Sequence, residues 1–144
     1  MMSDLHLEVA ARLRRTGQRY TSKRRAVVEI VAAARQPLSI PELLSGRQRL
    51  AQSSLYRNLA VLEQAHVVRR ILTGEDFARF ELAEDLSEHH HHLVCSSCGA
   101  VEDVLLPPNL ERRMEGALSE AAASAGFMPA AHRLDVIGTC RACA

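Results

Sequence analysis

The 144-residue chain has no tryptophan, two tyrosines and three phenylalanines. A core built from it must be aliphatic, and the 47% hydrophobic content is enough for one. No apolar run approaches the roughly 18 residues a membrane span needs. The stretch from Met1 to Leu13 carries Asp4 and Glu8 and has no apolar segment of the signal-peptide kind. There is no Gly-rich phosphate loop. No Ser–His–Asp or Cys–His set can be drawn, because all four cysteines fall into two tight pairs. The sequence therefore offers no membrane-spanning helix, no phosphate-binding loop and no nucleophilic catalytic set of these kinds. These absences point to a soluble cytoplasmic protein of one or two small domains.

The chain also has little net charge, +1, but the two signs are segregated. Residues 1–82 carry 14 basic and 8 acidic side chains, and residues 83–144 carry 4 and 9. A basic half joined to an acidic half suggests that one part meets a polyanion and the other does not. Chance segregation of surface charge is the alternative.

The first half reads as helices. Leu5, Val9 and Leu13 recur at helical spacing, and Gly17 ends that stretch. Thr21 or Ser22 can cap a second helix through Ala34. Ser39-Ile40-Pro41-Glu42 has the form of a capping box with an early proline. Ser53 or Ser54 is expected to cap a fourth helix. Its Leu55, Leu59 and Leu62 form one apolar stripe, and Tyr56, Arg57 and Asn58 lie on the other side. Then the period changes to that of strands at Val67–Leu72 and Phe77–Leu82, with the turn residues Thr73–Asp76 between them. Helices followed by a hairpin make a winged helix-turn-helix. The polar stretch after Leu82 reads as a hinge. Beyond it, strands at Leu93-Val94 and Val101–Leu106, a helix opening at Pro107-Pro108 and a last strand holding His132, Leu134 and Val136 make a small β-β-α-β unit.

The cysteines stand as Cys95-x-x-Cys98 and Cys140-x-x-Cys143, 41 residues apart. Two such turns complete a tetrahedral four-sulfur shell for structural zinc. Two disulfides or a redox pair are the competing readings. A cytoplasmic chain disfavours the first, and the lack of a βαβ context disfavours the second. His89-His90-His91-His92 lies just before Cys95. In an extended segment alternate side chains point to opposite sides, so His90 and His92 would share one site and His89 and His91 another. Glu81, Glu84, Asp85, Glu88, Glu102 and Asp103 lie near in sequence, and mixed N/O ligation suits Fe²⁺, Zn²⁺, Mn²⁺ or Ni²⁺ without choosing among them. His6 and His66 stand alone and read as packing or surface residues.

The run Ser54-Leu55-Tyr56-Arg57-Asn58-Leu59, the sequence Phe80-Glu81-Leu82, the string from His89 to Gly99 and the tail Gly138-Thr139-Cys140-Arg141-Ala142-Cys143 together resemble the ferric uptake regulator superfamily. The likeness covers about residues 10–143. It implies an α+β chain: a winged-helix DNA-binding domain at 1–83, a hinge at 84–92 and a small α/β dimerisation and metal-binding domain at 93–144. It implies a cytoplasmic homodimer that represses transcription at palindromic double-stranded DNA operators when a divalent metal sets the hinge. Carried across residue by residue, Cys95, Cys98, Cys140 and Cys143 match the structural zinc site. Glu81, His90, His92 and Asp103 match the hinge sensor site, and His89, His91, Glu111 and His132 match a second metal site. Arg19, Arg24, Tyr56 and Arg57 match DNA-contacting positions.

Four departures from individual family patterns stand out. A histidine ligand usual before the third helix is replaced by Gln36-Pro37. His91 stands where iron sensors have Asp. No cysteine is free for the sensor site, unlike in zinc sensors, and Glu81 stands where peroxide sensors favour Asp. Iron is therefore the expected regulatory metal, with zinc, manganese, nickel or peroxide sensing as alternatives. A His-rich metal storage or delivery protein is the alternative from another class, and a thiol oxidoreductase a further one.

Overall fold

A computed structural model describes residues 2–46, 50–72 and 78–144 of the chain. The expected turn at 73–76 and Phe77 lie outside the described residues.

Among the described residues the N-terminal half has four helices: α1 Met2–Arg15, α2 Ser22–Ala33, α3 Ile40–Leu44 and α4 Gln52–Gln64. Gly17, at φ +72°, turns the chain out of α1. Thr21 caps α2 by accepting from the Arg24 N–H. Ser39 and Glu42 close a reciprocal capping box on α3, with Pro41 in its first turn. The strands β1 Leu38–Ser39, β2 Val68–Leu72 and β3 Ala78–Leu82 form a sheet in the order β1-β3-β2. β2 and β3 are antiparallel, with Arg69 opposite Glu81. Leu55, Leu59 and Leu62 pack with Val28, Val68 and Phe80 in one aliphatic core that also takes in α1 and α3.

Three local expectations are corrected. Neither Ser53 nor Ser54 caps α4; the helix starts at Gln52 behind Ala51, which makes no side-chain cap bond. Ser54 lies inside the first turn, and its hydroxyl donates to the Ala51 carbonyl. Asn58 does not join Tyr56 and Arg57 in solvent but is buried, because it sits beside Leu59 at the edge of the apolar stripe and accepts a bond from the Arg24 Nε at 3.1 Å. His132 lies in the loop before the last strand rather than in it.

A single 3-10 turn, Glu84–Leu86, leads to β4 His91–Cys95, β5 Val101–Val104, the long helix α5 Pro108–Ser124 and β6 Asp135–Gly138. The β5 strand stops short of Leu105 and Leu106, which precede Pro107. The sheet order is β5-β4-β6, antiparallel for β4/β5 and parallel for β4/β6. No residue of α5 or β6 is buried, and Val136 and Ile137 are 51% and 72% exposed. From residue 93 onward only Cys95, Gly99 and Val101 are buried. This half has almost no apolar core of its own within one chain.

Candidate metal centres

β4 and the residues just before it supply ligands to three clusters. The alternation of extended backbone sends His90 and His92 one way and His89 and His91 the other. Asp103 on β5 pairs with His92 across the sheet and so shares its side. Glu81 arrives from β3, in the other sheet. The candidate ligand atoms of Glu81, His90, His92 and Asp103 all lie within 4.8 Å of one another. Glu81 Oε2 is 2.9 Å from His90 Nε2 and 3.2 Å from His92 Nε2. Asp103 Oδ1 is 3.8 Å from both.

The far ring nitrogens are occupied. His90 Nδ1 donates to the Glu88 carbonyl at 2.7 Å, and His92 Nδ1 to the Asp135 carboxylate at 3.1 Å. With Nδ1 carrying the hydrogen, a neutral ring turns an Nε2 lone pair toward Glu81 and Asp103. Four acceptors then converge with nothing between them to share, which is an arrangement for protons or a cation. The electrostatics agree. Burial alone would raise Glu81, but bonds from His92 and His90 and the charge of Arg69 outweigh it and bring the carboxyl down to about 2. Burial alone would lower His90 and His92, yet their partners raise both; for His90 these are the Glu88 carbonyl and Glu81, and for His92 they are Glu81 and Asp135. Burial raises Asp103. A cleft of about 540 Å³ opens beside this cluster, walled by Arg35, Gln36, Glu88 and Asp103 among others.

The second cluster gathers on Glu111, in the first turn of α5. His89 Nε2, His91 Nε2 and His132 Nε2 stand 3.0, 2.8 and 2.9 Å from its carboxylate. Glu111 is held below the usual carboxylate range, chiefly by His91. His89 Nδ1 is bonded to Glu84. His91 is 1% exposed.

The third cluster is Cys95, Cys98, Cys140 and Cys143, none in a disulfide. Gly99, at φ +74°, allows the first turn to close, and the Cys143 N–H closes the second on the Cys140 carbonyl. Cys98 and Cys140 sulfurs are 3.7 Å apart. A tetrahedral shell with metal–sulfur bonds of about 2.3 Å needs sulfurs about 3.8 Å apart, so this spacing fits zinc. The Cys140 N–H donates to Cys95 Sγ and is the main cause bringing that thiol down to about 6. Cys143, crowded first by Cys140 and then by Cys98, is pushed up to about 12. Crowding four sulfurs opposes gathering four negative charges here, and a bound dication would offset that repulsion.

Of the residues matched to DNA contacts, Tyr56 (54% exposed), Arg57 and Arg19 are exposed. Arg24, half-buried, joins α2 to α4, reaching Asn58 and, at 2.6 Å, the Arg19 carbonyl. His6 is a packing residue against Tyr20, and His66 is exposed at φ +57°. Sequence reasoning missed Asp135, which orients His92, and two arginines. Arg69 grips Glu81 across the β2–β3 pair, at 2.5 Å from Oε1. Arg79 is buried and donates to the Gly99 carbonyl at 2.8 Å and to Glu42 at 3.0 Å. It ties α3 and β3 to the cysteine turn. The Arg69–Glu81 pair carried a signal, opposite charges facing across a hairpin. Arg79 carried none.

The ferric uptake regulator family model matches residues 15–137. The peroxide operon regulator of Bacillus subtilis is 28% identical over 140 residues, which cover 94% of this chain and 91% of that one. The ferric uptake regulator of Vibrio cholerae superposes with a TM-score of 0.68 at 27% identity, covering 89% of this chain and 96% of that one. The Helicobacter pylori ferric uptake regulator, described as having three functional metal binding sites, gives a TM-score of 0.73 at 21% identity over 99% of this chain and 93% of that one.

Proposed function

Because the chain belongs to the ferric uptake regulator family, whose members are metal-binding transcription regulators rather than enzymes, we propose that it is a dimeric, metal-dependent repressor whose regulatory cation binds at Glu81, His90, His92 and Asp103. One observation carries this reading. Glu81 belongs to the sheet that packs on the four helices, while His90, His92 and Asp103 belong to the other sheet, and all four turn unshared lone pairs toward one point. A bound dication supplies the positive charge these acceptors lack. Without it Glu81 and the two imidazoles hold together only as far as protons replace it.

In this reading residues 1–83 bind DNA, 84–92 are the hinge and 93–144 dimerise. Cys95, Cys98, Cys140 and Cys143 hold structural zinc in a closed shell. His89, His91, Glu111 and His132 hold a further divalent ion. Tyr56 and Arg57 present the exposed side of α4 to a major groove, and Arg19 reaches phosphate or the adjacent minor groove. The nearly coreless second half supports a homodimer, since β6 and α5 need a second copy to cover them, and a two-fold dimer calls for a palindromic operator. A coupling of about 1–3 kcal/mol between metal and DNA, or roughly 5–150-fold in affinity, suffices for regulation.

Two imidazoles with two carboxylates and no thiolate suit Fe²⁺, with Mn²⁺ and Zn²⁺ as alternatives. The test is DNA binding by the zinc-bound dimer titrated with each metal in turn. Tight binding only with metal at the hinge cluster supports the reading; equal binding by metal-free protein contradicts it. Similarity to the Bacillus subtilis peroxide operon regulator favours a second reading, peroxide response. Loss of DNA binding after peroxide in the Fe²⁺ form but not the Mn²⁺ form would support that one.

A further inference from the structure

Arg69 stands between the two histidine–carboxylate clusters and touches the supporting carboxylate of each. Its Nε and Nη2 lie 2.6 and 2.5 Å from Glu81 Oε1, while the other oxygen of Glu81 faces His90 and His92. Its Nη1 lies 3.6 Å from Glu84 Oε2, and the other oxygen of Glu84 accepts from His89 Nδ1. His89 in turn puts Nε2 on Glu111. Arg69, Glu84, His90, His92 and His132 wall one tight crevice. The guanidinium is largely buried, with 20% of its side chain exposed. Its rigid fork sets two donors on Glu81 and a third toward Glu84, an arrangement that the three donors on a single lysine nitrogen do not reproduce.

We propose that Arg69 couples the two clusters antagonistically, one guanidinium being shared between Glu81 and Glu84. This rests on the proposal above that both clusters bind divalent metal. A cation at the hinge cluster draws on the negative charge of Glu81, and Arg69 then leans toward Glu84. A neutralised Glu84 is a weaker acceptor for the His89 Nδ1–H, and the His89 ring becomes a poorer electron donor at Nε2. By linkage the effect runs both ways: a metal on His89 strengthens the bond from its Nδ1–H to Glu84, and Arg69 settles on Glu81 and draws charge from it. The consequence is two separated metal-response ranges from two neighbouring sites.

The test is a double-mutant cycle read as metal affinity, by calorimetry and metal analysis on the zinc-bound dimer, with Mn²⁺ as the probe. His132→Ala weakens the second cluster. In the presence of Arg69 it should tighten hinge-cluster binding at saturating metal by several-fold or more, within the roughly 5–150-fold range of such couplings. With Arg69→Lys, which keeps the charge but not the fork, that gain should shrink toward the residue due to direct cation–cation repulsion. A second readout needs no DNA and uses diamagnetic Zn²⁺: the imidazole ¹⁵N shifts of His89 should move when the metal fills the hinge cluster alone in the presence of Arg69, and move much less in Arg69→Lys. Equal gains in both backgrounds with equal shifts would overturn the coupling while leaving the metal sites standing. Failure of the hinge cluster to take up Fe²⁺, Mn²⁺ or Zn²⁺ in the unsubstituted chain would instead overturn the functional proposal itself.

Discussion

Glu81 is the residue on which the molecule turns, because one carboxylate faces Arg69 on one side and two imidazoles on the other. Glu81→Gln keeps the shape and removes the charge. It should weaken hinge metal binding at least tenfold, a change of about 1.4 kcal/mol or more, while dimer and structural zinc remain. His90→Ala and His92→Ala should abolish metal-dependent DNA binding, whereas His89→Ala and His132→Ala should act more mildly, on dimer stability or response range. Metal-titrated DNA binding by all five variants checks this; identical behaviour of the two histidine pairs would mean one loose tract rather than two sites.

The pH dependence has a definite sign. His90 and His92 are raised in the metal-free fold. Their contacts with Glu81 therefore stabilise that fold fully below the ordinary histidine value of about 6.5 and lose that contribution as pH rises through the raised values. Metal must displace those protons, so metal affinity should climb over the same interval. Thermal unfolding of the dimer carrying only its cysteine-bound zinc should show stability falling across it while metal titrations show affinity rising. A metal affinity flat from pH 6 to 8 would contradict the proton–metal exchange.

At the scale of elements, β4 matters most, since its odd and even positions and its C-terminal cysteine feed three clusters. Cys95→Ser should remove one zinc per chain and unfold the turn that holds Gly99. Metal analysis with circular dichroism reads both, and an intact, zinc-free dimer would refute the structural role. Arg79→Met should cost roughly 1–3 kcal/mol in urea unfolding by stranding the Gly99 carbonyl and one side of Glu42. The alternation of the four histidines and the spacing of the cysteines made the ligand sets legible in the sequence, but the strand was expected only at Leu93-Val94, whereas β4 begins at His91, inside the expected hinge. The capping box on α3 was legible too, because its two partners are three residues apart. The start of α4 was not: Ser53 and Ser54 are both good caps, yet the helix begins at Gln52 behind Ala51 with no side-chain cap bond. Asn58 was misjudged because its burial depends on Arg24, 34 residues away. Arg79 and Asp135 were invisible for the same reason, since contacts across sheets need the register first.

At the scale of the whole molecule the two halves are built differently. The first has a continuous aliphatic core, and the second leaves α5 and β6 uncovered. A second half so exposed predicts a dimer at all working concentrations and a Tm that rises with protein concentration. Sedimentation and thermal unfolding over a hundredfold dilution check it, and a concentration-independent monomer would contradict it. The halves are joined through Glu81 with the histidines, Arg79 with Gly99, and Arg12, whose Nη2 lies 2.5 Å from Asp85 in the 3-10 turn. Of these joints, the first is the one whose ligand atoms converge within 4.8 Å in a set that could hold a cation.

That joint is the central claim, and DNA affinity against metal concentration tests it most directly. The probe is a duplex selected from random sequence by metal-loaded protein. Binding would be followed for the unsubstituted chain and for His90→Ala/His92→Ala, each dimeric and carrying its cysteine-bound zinc. The unsubstituted chain should bind at least fivefold more tightly with Fe²⁺ or Mn²⁺ than without, and the double variant should show the weak, metal-free affinity at every metal concentration. A double variant that still tightens on DNA as metal is added would contradict the account.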